Sequence, residues 1–440
     1  MLLNLKRIQG WLLIIFLFTL PWQTRWIIKA GLINADYWEY GTISLYASDI
    51  LLLLIIILQL IWRLLENIKS NISTSDLALI ILAFFASVIN IFLSLNHSLS
   101  LFHFGWLILA LGLFIILRQE IIPRYSALLS LISGGAVVGL LGAWQFISQK
   151  TIAFSWLGLA QHNSSDLGVS VIEAVAPDGI VERWLRAYGS LDHPNMLGGL
   201  MALTIFFSLY LIFKEEIKGK KEIIIITAFI FLVAGLISSF SRAALLATVL
   251  GLIIYFIFAI KTGFKLMIKK ALPLFIIGLI ITALFAVPFY YVFLPRLTAS
   301  TRLEQMSTAE RIAGYKEALP IIKNNLIIGS GLSVYGLALK AQDSKQQVWF
   351  YQPIHNVLLL ILAETGLVGL ILWLLFILKT IIVSWKKFPE DRLIIVGTII
   401  VLISLASFDH WLMSLHFGIM LSAVVWGLAL RKPKILTEIS

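Results

Sequence analysis

His355 ends the run Tyr351-Gln352-Pro353-Ile354-His355-Asn356, and the apolar residues that follow at once are enough to cross a membrane as a helix. Imidazole exchanges its proton nearest neutral pH, so a histidine at the mouth of a helix suits removal of a proton from a hydroxyl. Arg302, Arg311, Lys316 and Lys323 lie upstream in the same polar interruption, which runs from about Arg296 to Gly366. Arg242 occupies a tiny turn between two apolar segments, and Arg186 lies in an earlier polar loop. A guanidinium keeps its charge and binds phosphate oxygens in pairs. A base beside fixed cations is what transfer from a phosphorylated carrier requires: place the hydroxyl, take its proton, and neutralise charge on the departing phosphate. The segment therefore reads as the catalytic loop of an integral membrane transferase. Bland roles compete with each assignment, since a histidine at a helix end commonly only hydrogen-bonds, and outer arginines commonly hold carboxylates or lipid headgroups.

The elements that position these residues must be membrane helices. Of 440 residues, 60% are hydrophobic and 13% charged, and the mean hydropathy is +0.96, which excludes a soluble globular chain. With no cysteine, disulfides, thiolate nucleophiles and cysteine-held metals are excluded. The net charge of +11 is topogenic rather than a nucleic-acid footprint, because most Lys and Arg fall on one side of the segments. That side carries Lys6, Arg63, Lys69, Arg118, Lys214, Lys220, Lys269, Lys387 and the tail with Lys432 and Lys434, and is expected to be cytoplasmic.

The expected fold is all-α and polytopic, with about twelve transmembrane helices and two structured outer loops. Residues 1–147 hold the first five spans, the first a retained helix without a small-residue cleavage site; 148–195 form an outer loop, and 196–293 hold four more spans. Residues 294–355 are the large outer loop, 356–430 hold three spans, and 431–440 are the tail. In the first loop, Pro177-Asp178-Gly179 predicts a hairpin whose second strand runs to Tyr188, with Trp184, Arg186 and Tyr188 on one face. In the second, Ser307 and Glu310 stand in capping-box register for a helix from Thr308, with Arg311 and Tyr315 one turn apart and Pro320 kinking or shortening its last turn.

Asp49 and Glu364 fall inside spans and must face the bundle interior. Asp192-His193-Pro194-Asn195 reads either as a functional pair or as a helix entry capped by Asn195. His162 and the pair Asp409-His410 look too scattered along the chain for a metal site.

Several motifs in order give a further reading: Arg186-Ala187-Tyr188-Gly189, His193-Pro194-Asn195, Ser241-Arg242, Glu310-Arg311, Gly329-Ser330-Gly331, His355-Asn356, and Glu364-Thr365-Gly366-Leu367-Val368-Gly369-Leu370. Together with the hydropathy frame they resemble the O-antigen ligase and O-antigen polymerase superfamily, which includes protein O-oligosaccharyltransferases. The resemblance implies a metal-independent, cofactor-free GT-C-type glycosyltransferase in the bacterial plasma membrane, working on its outer face. It implies a polyprenyl-diphosphate-linked glycan as donor and a glycan, lipid A-core or protein as acceptor, with membrane lipids but no nucleic acid as partners. His355 is then the general base, with Arg242 and Arg311 on the diphosphate. Arg186, Tyr188, Asn195, Tyr315, Asn356 and Glu364 are expected to contact substrate, with Tyr351 and Asn356 orienting the base or acceptor. A transporter of lipid-linked glycans is the alternative outside enzymes, although no pair of broken helices in an inverted repeat is apparent.

Overall fold

A computed structural model describes residues 2–66, 73–119, 121–213, 217–261, 265–298, 301–387 and 391–431. Lys69, Lys214 and the tail with Lys432 and Lys434 lie outside the described residues. The first part of the chain contains α1 (Leu2–Thr19), β1 (Arg25–Lys29), β2 (Leu32–Ile33), β3 (Asp36–Tyr37), β4 (Ile43–Tyr46) and α2 (Ala47–Leu65). α3 (Thr74–Phe92), α4 (His97–Leu117), α5 (Arg124–Ser148), β5 (Val171–Val175), β6 (Val181–Leu185) and α6 (Pro194–Phe213) follow. Next are α7 (Lys220–Ser239), α8 (Arg242–Lys261), α9 (Lys265–Ala286), α10 (Tyr290–Thr298), α11 (Arg302–Asn324) and α12 (Tyr335–Gln342). The chain ends in α13 (Val357–Lys387), α14 (Arg392–Phe408), α15 (Trp411–Ser414) and α16 (His416–Ala429).

Among the described residues the long apolar segments are helical, because only a helix satisfies its own backbone in hydrocarbon. Among the described residues, eight helices are long and apolar enough to cross a membrane, and Arg242–Phe258, Ile395–Phe408 and His416–Ala429 are shorter apolar helices. The expected count of about twelve spans thus has eight helices of spanning length behind it. α6 is the axis of the bundle, with 94% of its apolar window buried between α5, α7, α8 and α14. Gly198 permits that packing: a Cβ there would stand 2.7 Å from the Ser241 Cβ, so a larger residue would push α6 off the α7–α8 turn.

Local structure departs from the sequence reading in several places. The outer segment after α1 is a hairpin, β1 pairing antiparallel with β4, so the second span starts at Ala47 rather than near residue 41. β5 and β6 pair from Val171↔Leu185 to Val175↔Val181 around a turn with Gly179 at φ +88°. β6 ends at Leu185, so Arg186 and Tyr188 lie beyond the strand. The loop helix starts at Arg302, not Thr308, because Glu304 in its first turn is pinned by two arginines; Pro320 remains inside it. α13 is broken at Gly366 (φ +66°), where a Cβ would meet the Ile327 carbonyl oxygen at 2.3 Å. The freed backbone groups pair with the Leu326–Gly331 segment: Gly331 N donates to Glu364 O (3.0 Å) and Leu367 N to Leu326 O (2.8 Å). Asn90 on α3 clamps the junction, donating to Ile328 O and Glu364 O at 2.8 Å each. Protein partners at this depth make the break tolerable in a membrane.

Candidate active site

The tight α7–α8 turn sets Arg242 at the first position of α8, since Phe240 adopts a left-handed conformation (φ +49°) that ends α7 abruptly. Its Nη2 lies 3.1 Å from the Glu304 carboxylate, and its side chain is one-third exposed. Arg296 on α10 donates from Nε to Phe240 O (2.8 Å) and pairs with the same carboxylate. Arg311, seven residues beyond Glu304, lies two helical turns further on that face of α11. Its Nε is buried with no hydrogen-bond partner among the described residues.

Arg186 completes the group. It is 6% exposed, with the Arg296 and Glu304 charges nearby, and its bonds go to neutral acceptors: Nε to Ser239 O (2.9 Å) and Nη2 to Asn195 Oδ1 (2.8 Å). Burial, and then Arg296, push its pKa well below the usual range. A guanidinium that cannot practically deprotonate in such a place favours an anion as partner. Arg242 and Arg296 thus hold the Glu304 carboxylate, and Arg186 and Arg311 lie near enough for their charges to act on Arg296.

A hydrogen-bonded chain runs from this cationic group to Asp409, which faces His355. Asn195 Nδ2 donates to Asp409 Oδ2 at 2.7 Å, and the other oxygen, Oδ1, accepts from the His410 backbone N–H at 2.8 Å. The same Oδ1 lies 3.5 Å from His355 Nδ1, long for a formed hydrogen bond but the right approach for one. Asp409 and His410 occupy the link between α14 and α15, outside the spanning helices. Burial would raise the Asp409 carboxyl, but His355, His410 and His193 outweigh it and hold it well below the ordinary range. His410 is pushed down to about 3 by burial, against the pull of Asp409, and its Nδ1 sits 2.7 Å from Ser414 Oγ. His193, lowered to about 3 by burial and by Arg186, accepts from Asn195 N at its Nδ1 and faces Ser170 Oγ with Nε2. His193 thus caps the entry to α6, and Asn195, read from sequence as the cap, is released to bridge Arg186 and Asp409.

Other expected residues are placed less centrally. Tyr315 OH donates to the His355 carbonyl (3.4 Å), so α11 braces the loop that holds the histidine. Asn356 caps α13 by accepting from Leu359 N (3.0 Å) and ties it to Ser407 O (3.2 Å). Tyr188 is buried, its hydroxyl accepting from Ser170 N (2.7 Å) and its ring stacked on His162. Tyr351, expected to orient the base, is fully buried and donates to Asp343 O (2.7 Å), so it fixes the loop instead. Glu364 is buried against the Gly329–Tyr335 segment and accepts from Tyr335 N at 3.4 Å. Asp49 pairs with His416 at 2.8 Å inside the bundle.

Sequence reasoning missed Asp409, Arg296 and Glu304 as parts of the site. An aspartate ending an apolar segment was the available signal for Asp409. The pair Asp409-His410 is also not scattered: its ligand atoms and that of His355 all lie within 4.8 Å of one another, a donor set able to take a cation.

This fold and site define an integral membrane protein whose helices carry a polar, arginine-rich center at one face. Residues 227–374, about a third of the chain, match the family model described as O-antigen ligase. The match supports, broadly, a membrane glycosyltransferase of ligase or polymerase type. It takes in Arg242, Arg296, Glu304, Arg311 and His355, and leaves Arg186, Asn195 and Asp409 outside. No curated protein matches the chain.

Proposed function

We propose that the protein moves a glycan from a polyprenyl diphosphate carrier to an acceptor hydroxyl on the outer face of the bacterial plasma membrane, without a metal. His355 takes the acceptor proton at Nε2 while Asp409 orients its Nδ1. The acceptor oxygen bonds to the anomeric carbon, the bond from that carbon to the phosphate oxygen breaks, and polyprenyl diphosphate leaves with the electron pair. Arg242, Arg311 and Arg186 hold the diphosphate and take up its developing charge. The observation that carries the reading is the chain Arg186–Asn195–Asp409–His355, which joins an anion-seeking guanidinium to a base.

The test is to incubate purified protein with lipid-linked glycan and candidate acceptors, including a second lipid-linked repeat. A covalently enlarged acceptor supports ligation, and a lengthened lipid-linked glycan supports the polymerase activity. Movement of glycan across vesicles without bond formation would favour a transporter. The donor set of His355, Asp409 and His410 favours one second reading, a metal-assisted transfer. Full activity in the presence of chelator is the result expected of the metal-independent mechanism.

A further inference from the structure

A cavity of about 1350 Å³ runs between α3, α4 and α13, away from the arginine group. α3 and α13 have only 6% of their apolar windows buried, so the groove lies at the lipid-facing surface of the bundle. Val357 and Ser407 line its end beneath His355, whereas Arg63, Arg118, Asp76 and Lys379 line the opposite end. The two parts of α13 on either side of the break, Val357 to Thr365 and Leu367 to Lys379, rise roughly 12 Å and roughly 18 Å, together about the thickness of the hydrocarbon core. The cationic end therefore lies at the far membrane face, in the opposite leaflet.

Of the charged groups that line this end, three are cations, Arg63, Arg118 and Lys379, and one is a carboxylate, Asp76. Lys379 is matched by Asp76 at 2.7 Å, and Arg118 is near enough to act on the same carboxylate, but no described residue lies within ion-pair distance of Arg63 or Arg118. The Arg63 Nε is buried without a hydrogen-bond partner, and the Arg118 guanidinium lies over the Phe114 ring at 5.4 Å. Two guanidiniums at the foot of an apolar groove call for a ligand with an anionic head and a hydrocarbon body.

We propose that this groove binds an anionic phospholipid from the leaflet opposite His355, its phosphate on Arg63 and Arg118 and its acyl chains along α3 and α13. The occupant packs against α13 on the segment that includes Thr365 and Val368, beside the break at Gly366. It is a site separate from the transfer reaction.

Native mass spectrometry of the full chain, released from detergent with added phosphatidylglycerol or phosphatidylethanolamine of identical chains, tests this. Phosphatidylglycerol should be retained about tenfold better or more. The double variant Arg63→Gln/Arg118→Gln should bring it down to the phosphatidylethanolamine level. Ala83→Trp, which fills the groove without touching charge, should weaken retention of both lipids. Size-exclusion profiles and melting temperatures establish that each variant is folded, and any unfolded variant is replaced by Arg63→Lys/Arg118→Lys, which should restore the preference. Equal retention of the two lipids by the wild type, or unchanged phosphatidylglycerol binding in a folded double variant, overturns the proposal. Competition by glycerol phosphate as effective as that by the lipid would overturn it too, by assigning the arginines to a soluble phosphate.

Discussion

Asn195 and Asp409 are 214 positions apart in sequence, yet the Asn195 amide donates to the Asp409 carboxylate at 2.7 Å while its oxygen accepts from Arg186. One side chain therefore couples the arginine group to the residue that faces His355. Asn195→Asp would set a second carboxylate against Asp409, and Asn195→Ala would leave two buried charged groups without a bridge.

If that coupling orients the base, Asp409→Asn keeps the shape of the site but loses the charge facing His355. Transfer is expected to fall by about 100- to 10,000-fold, as on removal of a positioned base, and His355→Ala to fall as far. Binding of the lipid-linked donor should survive in both, because the arginines remain. Donor binding and glycan transfer measured on the same preparations check this. Near-normal transfer by His355→Ala would end the base assignment, and loss of both properties would point to a structural role.

Arg242→Lys and Arg311→Lys retain charge but lose the paired donors of the guanidinium. Each is expected to lose most of its activity at normal protein levels, with weakened donor binding. Glu304→Gln should behave differently. It removes the carboxylate shared by Arg242 and Arg296, so the folded protein should lose about 3–5 kcal/mol of stability, seen as a lower melting temperature. Normal turnover in both Lys variants would take these arginines out of the site.

Acid should destabilise the protein through His410, which is 5% exposed and lowered by burial from 6.5 to about 3. Below about pH 6.5 the unfolded chain takes up a proton that the folded site refuses, so stability is complete above that pH and declines toward 3. The slope is about 1.4 kcal/mol per pH unit for one such group. Melting temperatures in detergent between pH 8 and 4 should fall accordingly, and His410→Gln should flatten the decline. An unchanged slope in that variant would assign the acid sensitivity to other groups.

Orientation is open to a direct chemical test because the chain contains no cysteine. Ser165→Cys and Ser344→Cys should react with an impermeant thiol reagent in intact cells, and Lys220→Cys and Lys387→Cys only after the interior is opened. Labelling of Ser344→Cys only in opened cells would invert the topology and move His355 to the other face.

The apolar segments, the β5–β6 turn and the residue types able to bind a phosphate were legible in the sequence, since each follows from local composition or from spacing within one element. The start of α11 was misread because the Ser307/Glu310 register is a local preference, and a tertiary contact, Glu304 with Arg296 and Arg242, outweighs it. The break in α13 was hidden for a related reason. Gly366 in an apolar run is compatible with an unbroken helix until the Leu326–Gly331 segment arrives to satisfy the opened backbone. The pair Asp409-His410 looked too scattered along the chain for a metal site, and Asp192-His193-Pro194-Asn195 read either as a functional pair or as a helix entry. Their roles depend on α6, α14 and the His355 loop meeting at one membrane face, a long-range packing result that periodicity within single helices does not encode. Sequence therefore determined which chemistry was within reach, through the types His, Arg and Asp and the membrane frame around them. Tertiary structure alone decided which of those groups touch, because hydrogen bonds of about 3 Å between residues hundreds of positions apart are set by the packing of whole helices.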